Sequence, residues 1–139
     1  MADRFTFERV MHNFTKLKKD LPILLANDAQ NYFVKPFKTT TGQGFDGKAW
    51  TARKKETKKS IGKPILVGTG KLRRAVQNSV REKTFDKVRL VIDGGSIPYA
   101  SVHNNGSDEM PQRQFMGQSE ELKKEQRKTI IKFIDKIWK

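Results

Sequence analysis

An α+β fold follows from three features of this 139-residue chain. Apolar residues recur at helical spacing near both ends, at Phe7, Val10, Met11, Phe14 and Leu17, and again at Leu122, Ile130, Phe133, Ile134, Ile137 and Trp138. Between them, residues 87–93 alternate, with Val88, Leu90 and Ile92 on one face and Lys87, Arg89 and Val91 on the other. A Gly-Thr-Gly break at 68–70 separates the two regimes. The expected molecule is a single domain over 1–139: N-terminal helices, a short antiparallel sheet, and a long C-terminal helix packed across it.

The elements follow in order. Residues 5–19 are expected as a first helix. Asp20 then caps a second, with Pro22 in its first turn where a missing N–H costs least. Its buried side is Ile23, Leu24, Leu25, Ala26, Ala29, Phe33 and Val34, and Pro36 ends it. His12 lies beside the first stripe with no second His or Cys at ligand spacing, which favours a surface or core-edge role over metal binding.

Residues 38–64 read as a long loop or arm. Phe45 and Trp50 interrupt its polar first half, either pinning the loop to the core or a neighbouring subunit, or stacking on bases. Its second half, RKKETKKSIGK, is a basic run. Arg53, Lys54, Lys55, Lys58 and Lys59 are therefore candidates for partner or DNA contact, the plain alternative being a solvated loop.

The passage ILVGTGKLRRAV (65–76) invites a phosphate-loop reading, but Lys71 is followed by Leu72 where Ser or Thr is needed. Thr69 instead reads as a helix cap between glycines, with Leu72 and Val76 facing inward. A hairpin over 79–93 turns at 85–87. Asp93-Gly94-Gly95 reads as a turn, since a lone acid falls short of a calcium loop.

Pro98 opens a short helix, 99–105, closed by Gly106. His103 tempts a catalytic reading, but no nucleophile motif accompanies it, so a structural hydrogen-bonding role is expected. Residues 107–117 form a loop with a short edge strand at 112–115, and Phe115 docks elsewhere. Ser119 caps the last helix, with Glu120 and Glu121 at its positive end and Lys132 and Lys136 toward the other. The mixture of acids and bases on this helix favours packing over a membrane surface.

The order LPILLANDAQNYF, FDGKAW, PILVGTGKLRRAV, PYASVHNNG and MPQRQFMG, followed by a last helix, resembles the phage virion morphogenesis family across about residues 20–138. Within it Thr69, Gly70, Leu72, Tyr99, His103, Gly106 and Phe115 form the structural motif. The resemblance implies a virion part that completes the tail or joins head to tail. It would be a homo-oligomer, a ring by expectation, gripping other tail or neck proteins, with neither cofactor nor catalysis.

The bulk composition bounds the alternatives. Charged residues make up 32% and hydrophobic residues 35%, so part of the chain is expected to be extended, loop-like or ordered only by neighbours. With no cysteine there is neither disulfide nor thiolate metal site. No signal peptide or membrane-spanning run is read, so synthesis in the cytoplasm is expected; the resemblance implies that this is the host's cytoplasm and that the protein's place is in the virion, at its tail or neck. A net charge of +14 attracts nucleic acid or acidic protein faces and opposes self-association unless counter-charge is supplied. A basic nucleic-acid-binding module is the rival function, and non-specific contact with packaged DNA fits both.

Overall fold

The computed structural model describes residues 6–38, 45–55, 57–58, 61–62, 65–67 and 70–138, and of Ile137 and Trp138 the backbone alone. Its backbone begins with one long helix, α1 (Phe7–Val34), running into a 3-10 turn at Lys35–Lys38. After a second such turn, Phe45–Gly47, come α2 (Lys71–Gln77), β1 (Val80–Lys83), β2 (Val88–Leu90), α3 (Ala100–Asn105) and α4 (Glu120–Trp138). The α+β class stands as expected. The C-terminal helix packs against the rest, chiefly along α1.

The two expected N-terminal helices are one. Thr6 caps α1 by accepting from the Arg9 N–H at 3.2 Å, and the helix continues through Asp20 and Pro22 to Val34. Proline in a helix interior leaves the carbonyl four residues back without its donor. Here Pro22 is buried and heads the stripe Pro22, Ala26, Ala29 and Phe33, at spacings of four, three and four. Keeping that stripe on one face outweighs the lost hydrogen bond, so the local stop signal is overridden.

A second correction concerns the first stripe. Burial in α1 starts at Leu21; Phe7, Met11 and Phe14 are 74%, 50% and 42% exposed, and Ile23 and Leu24 also face outward in part. The spacing that makes the helix is there, but its N-terminal half, about 20 Å long at 1.5 Å per residue, runs past the core. The core proper gathers Phe33, Val34, Phe37, Phe45, Trp50, Leu72, Val76, Phe115 and Leu122. Phe37 is its centre, edge-on to both Trp50 (5.4 Å between centroids) and Phe115 (5.6 Å).

The sheet is a two-stranded antiparallel hairpin pairing Val80 with Leu90, Glu82 with Arg89 and Lys83 with Val88, with an irregularity at Arg81. Thr84 and Lys87 exchange backbone hydrogen bonds across the turn, at 2.8 and 3.1 Å. The expected strand over 87–93 is shorter: the Val91 N–H still donates to the Ser79 carbonyl at 2.8 Å, and beyond it the chain turns at Asp93. There the Asp93 carboxylate accepts from the Gly95 N–H at 2.9 Å and from the Ser96 hydroxyl at 2.9 Å, holding its pKa below the usual value. The expected edge strand at 112–115 does not form.

α4 starts beside Tyr32 and runs antiparallel to α1, with Gln126 reaching the Leu25 carbonyl and Thr129 the Asp28 carboxylate at 2.6 Å. Ser119 caps it, its hydroxyl accepting from the Leu122 N–H at 3.2 Å. That oxygen also lies 2.7 Å from Asp46 Oδ1 and 2.8 Å from the Tyr32 hydroxyl, so its one proton serves two acceptors. The Tyr32 hydroxyl donates to Glu121 and accepts from the Asp46 N–H. Asp46, held at φ 55° with its pKa lowered first by the Ser119 hydroxyl, thus ties the 45–47 turn to both long helices.

These placements separate core from projection. Phe37→Ala should cost about 3–5 kcal/mol, read from the denaturant midpoint, whereas Phe7→Ala should stay within about 0.5 kcal/mol. Equal losses would show that the projecting turns of α1 belong to the cooperative core.

Candidate functional site

The site is built where α3 ends. Gly106 closes that helix at φ 78°, its N–H bonded to the Val102 carbonyl at 2.8 Å. The chain then loops out through 107–110 and comes back close over the helix end. A Cβ on Gly106 would stand 3.1 Å from the Gln112 nitrogen and 3.2 Å from its Cα. Glycine is thus required twice, by the left-handed backbone and by the crossing segment.

The returning segment, residues 112–116, is held without a sheet. The Arg113 N–H donates to the His103 carbonyl at 2.8 Å. Asn104 Oδ1 accepts from both Phe115 N–H (2.9 Å) and Met116 N–H (3.0 Å), as an adjacent strand's carbonyl would. On the other side Trp50 Nε1 donates to the Gln114 carbonyl at 2.7 Å. Arg113 reaches the Thr51 carbonyl with Nε at 2.8 Å and the Ala52 carbonyl with a terminal nitrogen at 3.2 Å. So the segment is a strap, laced to α3 on one side and to residues 50–52 on the other, with Phe115 driven into the core beneath it.

Beside the strap opens a cleft of about 370 Å³ between α2 and α3. Ile65, Leu66, Val67 and Leu72 supply an apolar wall; Arg53, Lys71 and Arg113 supply positive charge, with Tyr99 and His103 between. Leu66 has φ 65°, an uncommon conformation for a bulky residue. The His103 ring meets Tyr99 edge-to-face at 5.9 Å, and its Nδ1 is buried without a hydrogen-bond partner. Burial, then the nearby Arg113 charge, lowers the His103 pKa below 6.5.

The cleft brings Arg53, Gly70, Leu72, Tyr99 and His103 together, residues far apart in sequence. Lys54, Lys55 and Lys58 are exposed and do not line the cleft; Lys59 and Thr69 lie outside the described residues. The cap of α2 is Gly70, in the left-handed region and with no side-chain cap bond, rather than Thr69. Phe45 and Trp50 need correction as partner-facing candidates: at 5% and 6% exposure they are committed to the core and present no face for a base or a neighbour. Gly106 and Phe115 hold the strap.

Sequence reasoning passed over Arg113 and Asn104. Arg113 sits in a stretch without periodicity, and only its partners, 61 and more residues away in sequence, give it a role. Asn104 carried no signal beyond standing before a helix-ending glycine. None of the cleft's described lining residues is a carboxylate or an alcohol nucleophile. Among the described residues, no group of three or more His, Asp or Glu could hold a metal ion.

Among known proteins, the family model described as the phage virion morphogenesis family matches residues 8–135 of the 139. No curated protein and no solved structure matches the chain.

Two outcomes are expected at this site. Gly106→Ala should destabilise by at least about 1–2 kcal/mol, the cost of a left-handed backbone alone, seen as a lowered Tm. His103, folded in its neutral form, should contribute a pH dependence: below pH 6.5 the unfolded chain takes up a proton that the folded chain resists, so stability falls as pH falls toward the lowered folded pKa. His103→Gln should flatten that slope, measured as urea midpoints over a pH series that crosses the His range; an unaltered slope would place its origin elsewhere.

Proposed function

Because the chain belongs to the phage virion morphogenesis family, we propose that it is a structural part of the virion which completes the tail or joins head to tail. It acts by holding neighbours in place, copies of itself in a closed ring among them. The observation that carries this reading is the projecting half of α1. Phe7, Met11 and Phe14, at spacings of four and three, present one apolar stripe beyond the core. A helix face of this kind is stable in water only at a cost that a neighbouring subunit removes. On another face of α1, a groove of about 680 Å³ is lined by Ile23 and Leu24 together with Phe133 of α4. Like-charge repulsion at +14 opposes the contact, so the ring is expected to close where other virion proteins supply acid.

A second reading rests on the exposed Lys54, Lys55 and Lys58, which suit contact with packaged DNA. It is compatible with the first. No described helix is long and apolar enough to cross a membrane.

Particles made without the protein should accumulate as separate heads and tails by electron microscopy. The triple substitution Phe7→Ser, Met11→Ser and Phe14→Ser should fail to rescue them while keeping the wild-type Tm within a few degrees. Infectious phage made in the protein's absence would overturn the reading. For the basic arm, changing Lys54, Lys55, Lys58 and Lys59 to Ala should reduce the slope of log K against log salt by roughly 0.9 for each phosphate no longer neutralised. An unchanged slope removes the arm from any DNA contact.

A further inference from the structure

The groove of about 680 Å³ between α1 and α4 lies on another face of α1 than the Phe7, Met11 and Phe14 stripe. Its apolar part is Ile23 and Leu24 of α1 with Phe133 of α4. Ile23 and Leu24 are each 37% exposed, and Phe133 is half-buried. Large apolar side chains gathered in a concavity between two helices are what an amphipathic helix takes up, through anchors at i, i+3, i+4 and i+7. They call for an occupant, and the charges around them choose its sign. Lys16 of α1 and Lys132 and Lys136 of α4 line the same groove, with Asp20 as its one described acid. The three lysines are exposed, and neither they nor Asp20 enter an ion pair among the described residues. Solvated in this way they demand no counter-charge, but they favour an acidic neighbour over a basic one. The Thr129 hydroxyl, also on the groove, is already engaged by the Asp28 carboxylate at 2.6 Å and the Glu125 carbonyl at 3.2 Å.

We propose that the groove between α1 and α4 seats an acidic amphipathic helix of another virion protein. The apolar stripe of that helix lies on Ile23, Leu24 and Phe133. Its flanking Asp or Glu side chains meet Lys16 on the α1 side and Lys132 and Lys136 on the α4 side. The proposal rests on the reading above, that the chain works by contact with other virion proteins, and names the class of partner. A second copy is the poorer occupant. The projecting half of α1 is the chain's own free apolar stripe, and it carries Arg9, Lys16, Lys18 and Lys19 against Glu8 alone, so it would bring cations to cations. A DNA duplex is poorer too, since it offers phosphates to the lysines but no apolar side chain to Phe133 and its neighbours.

The test uses the full chain and a blocked helical peptide of about 15 residues, with Leu at i, i+3, i+4 and i+7 and Glu on both flanks. One control replaces the flanking Glu by Lys, another replaces the Leu by Ser, and a short DNA duplex serves as the competing probe. Binding is followed by NMR at the Phe133 ring and the Ile23 and Leu24 methyl groups. Saturable shifts are expected with the Glu peptide and with neither control. Lys132→Glu combined with Lys136→Glu should weaken the Glu peptide roughly tenfold and admit the Lys peptide, with circular dichroism and Tm as in the wild type. Leu24→Ser should weaken it by roughly the same factor through lost apolar contact. Four results overturn the proposal: no shifts in the groove, equal binding of the Glu and Lys peptides, occupation of the groove by the duplex, or groove signals that change with protein concentration alone, which would make it the seat of a second copy. The titration reads the groove and not the virion role. Separate heads and tails in the protein's absence, together with no peptide binding, would sink the groove and keep the role; peptide binding together with infectious phage made in its absence would do the reverse.

Discussion

The return of residues 112–116 over the end of α3 is the constraint on which the other elements depend. It fixes Phe115 against Phe37, and through Phe37 it fixes Trp50. The Trp50 indole and the Arg113 guanidinium in turn hold residues 50–52, so a stretch with no helix or strand of its own has a defined place. In a chain with only a two-stranded sheet among its described residues, such side-chain-to-backbone bonds replace the ladder that a larger sheet would supply. The closeness of Gly106 to Gln112 sets how tightly the strap can lie. From its far end the chain reaches Ser119 and the start of α4, so the strap also sets where the last helix begins.

Charge is the second constraint, and it acts against compactness. The ion pairs Lys123–Glu120 and Lys128–Glu125 lie within α4 and are solvent-exposed, which makes them weak contributors. The excess of cations is dispersed over the helices and the basic stretch, and one member, Arg113, is drawn inside. A fold that leaves an apolar helix face in water is matched to surroundings that bring apolar surface. That is how sequence, packing and a role in virion assembly connect in this protein.

Much of this was legible in the residues. The helical spacings, the hairpin at Thr84–Lys87, the Asp93 turn, the Ser119 cap and the Gly106 stop are local signals, and they hold because the chemistry they depend on is local. Pro22 misled because a stop signal is a preference of a few kcal/mol that a continuous buried stripe can override. Phe7, Met11 and Phe14 misled because periodicity reports an apolar face without reporting what covers it. Of the cleft, Tyr99, His103 and Leu72 stood out as motif residues and Arg53 as part of a basic run. Arg113 and Asn104 did not, since their roles come from partners brought near by the strap.

The central claim is that the protein works by what it touches. The most direct measurement is a reconstruction of the tail or neck of assembled particles at side-chain resolution. Expected are several copies in a closed ring, with the Phe7–Phe14 face of α1 covered by a neighbouring copy. A single copy per particle, with that face in solvent, would contradict the claim.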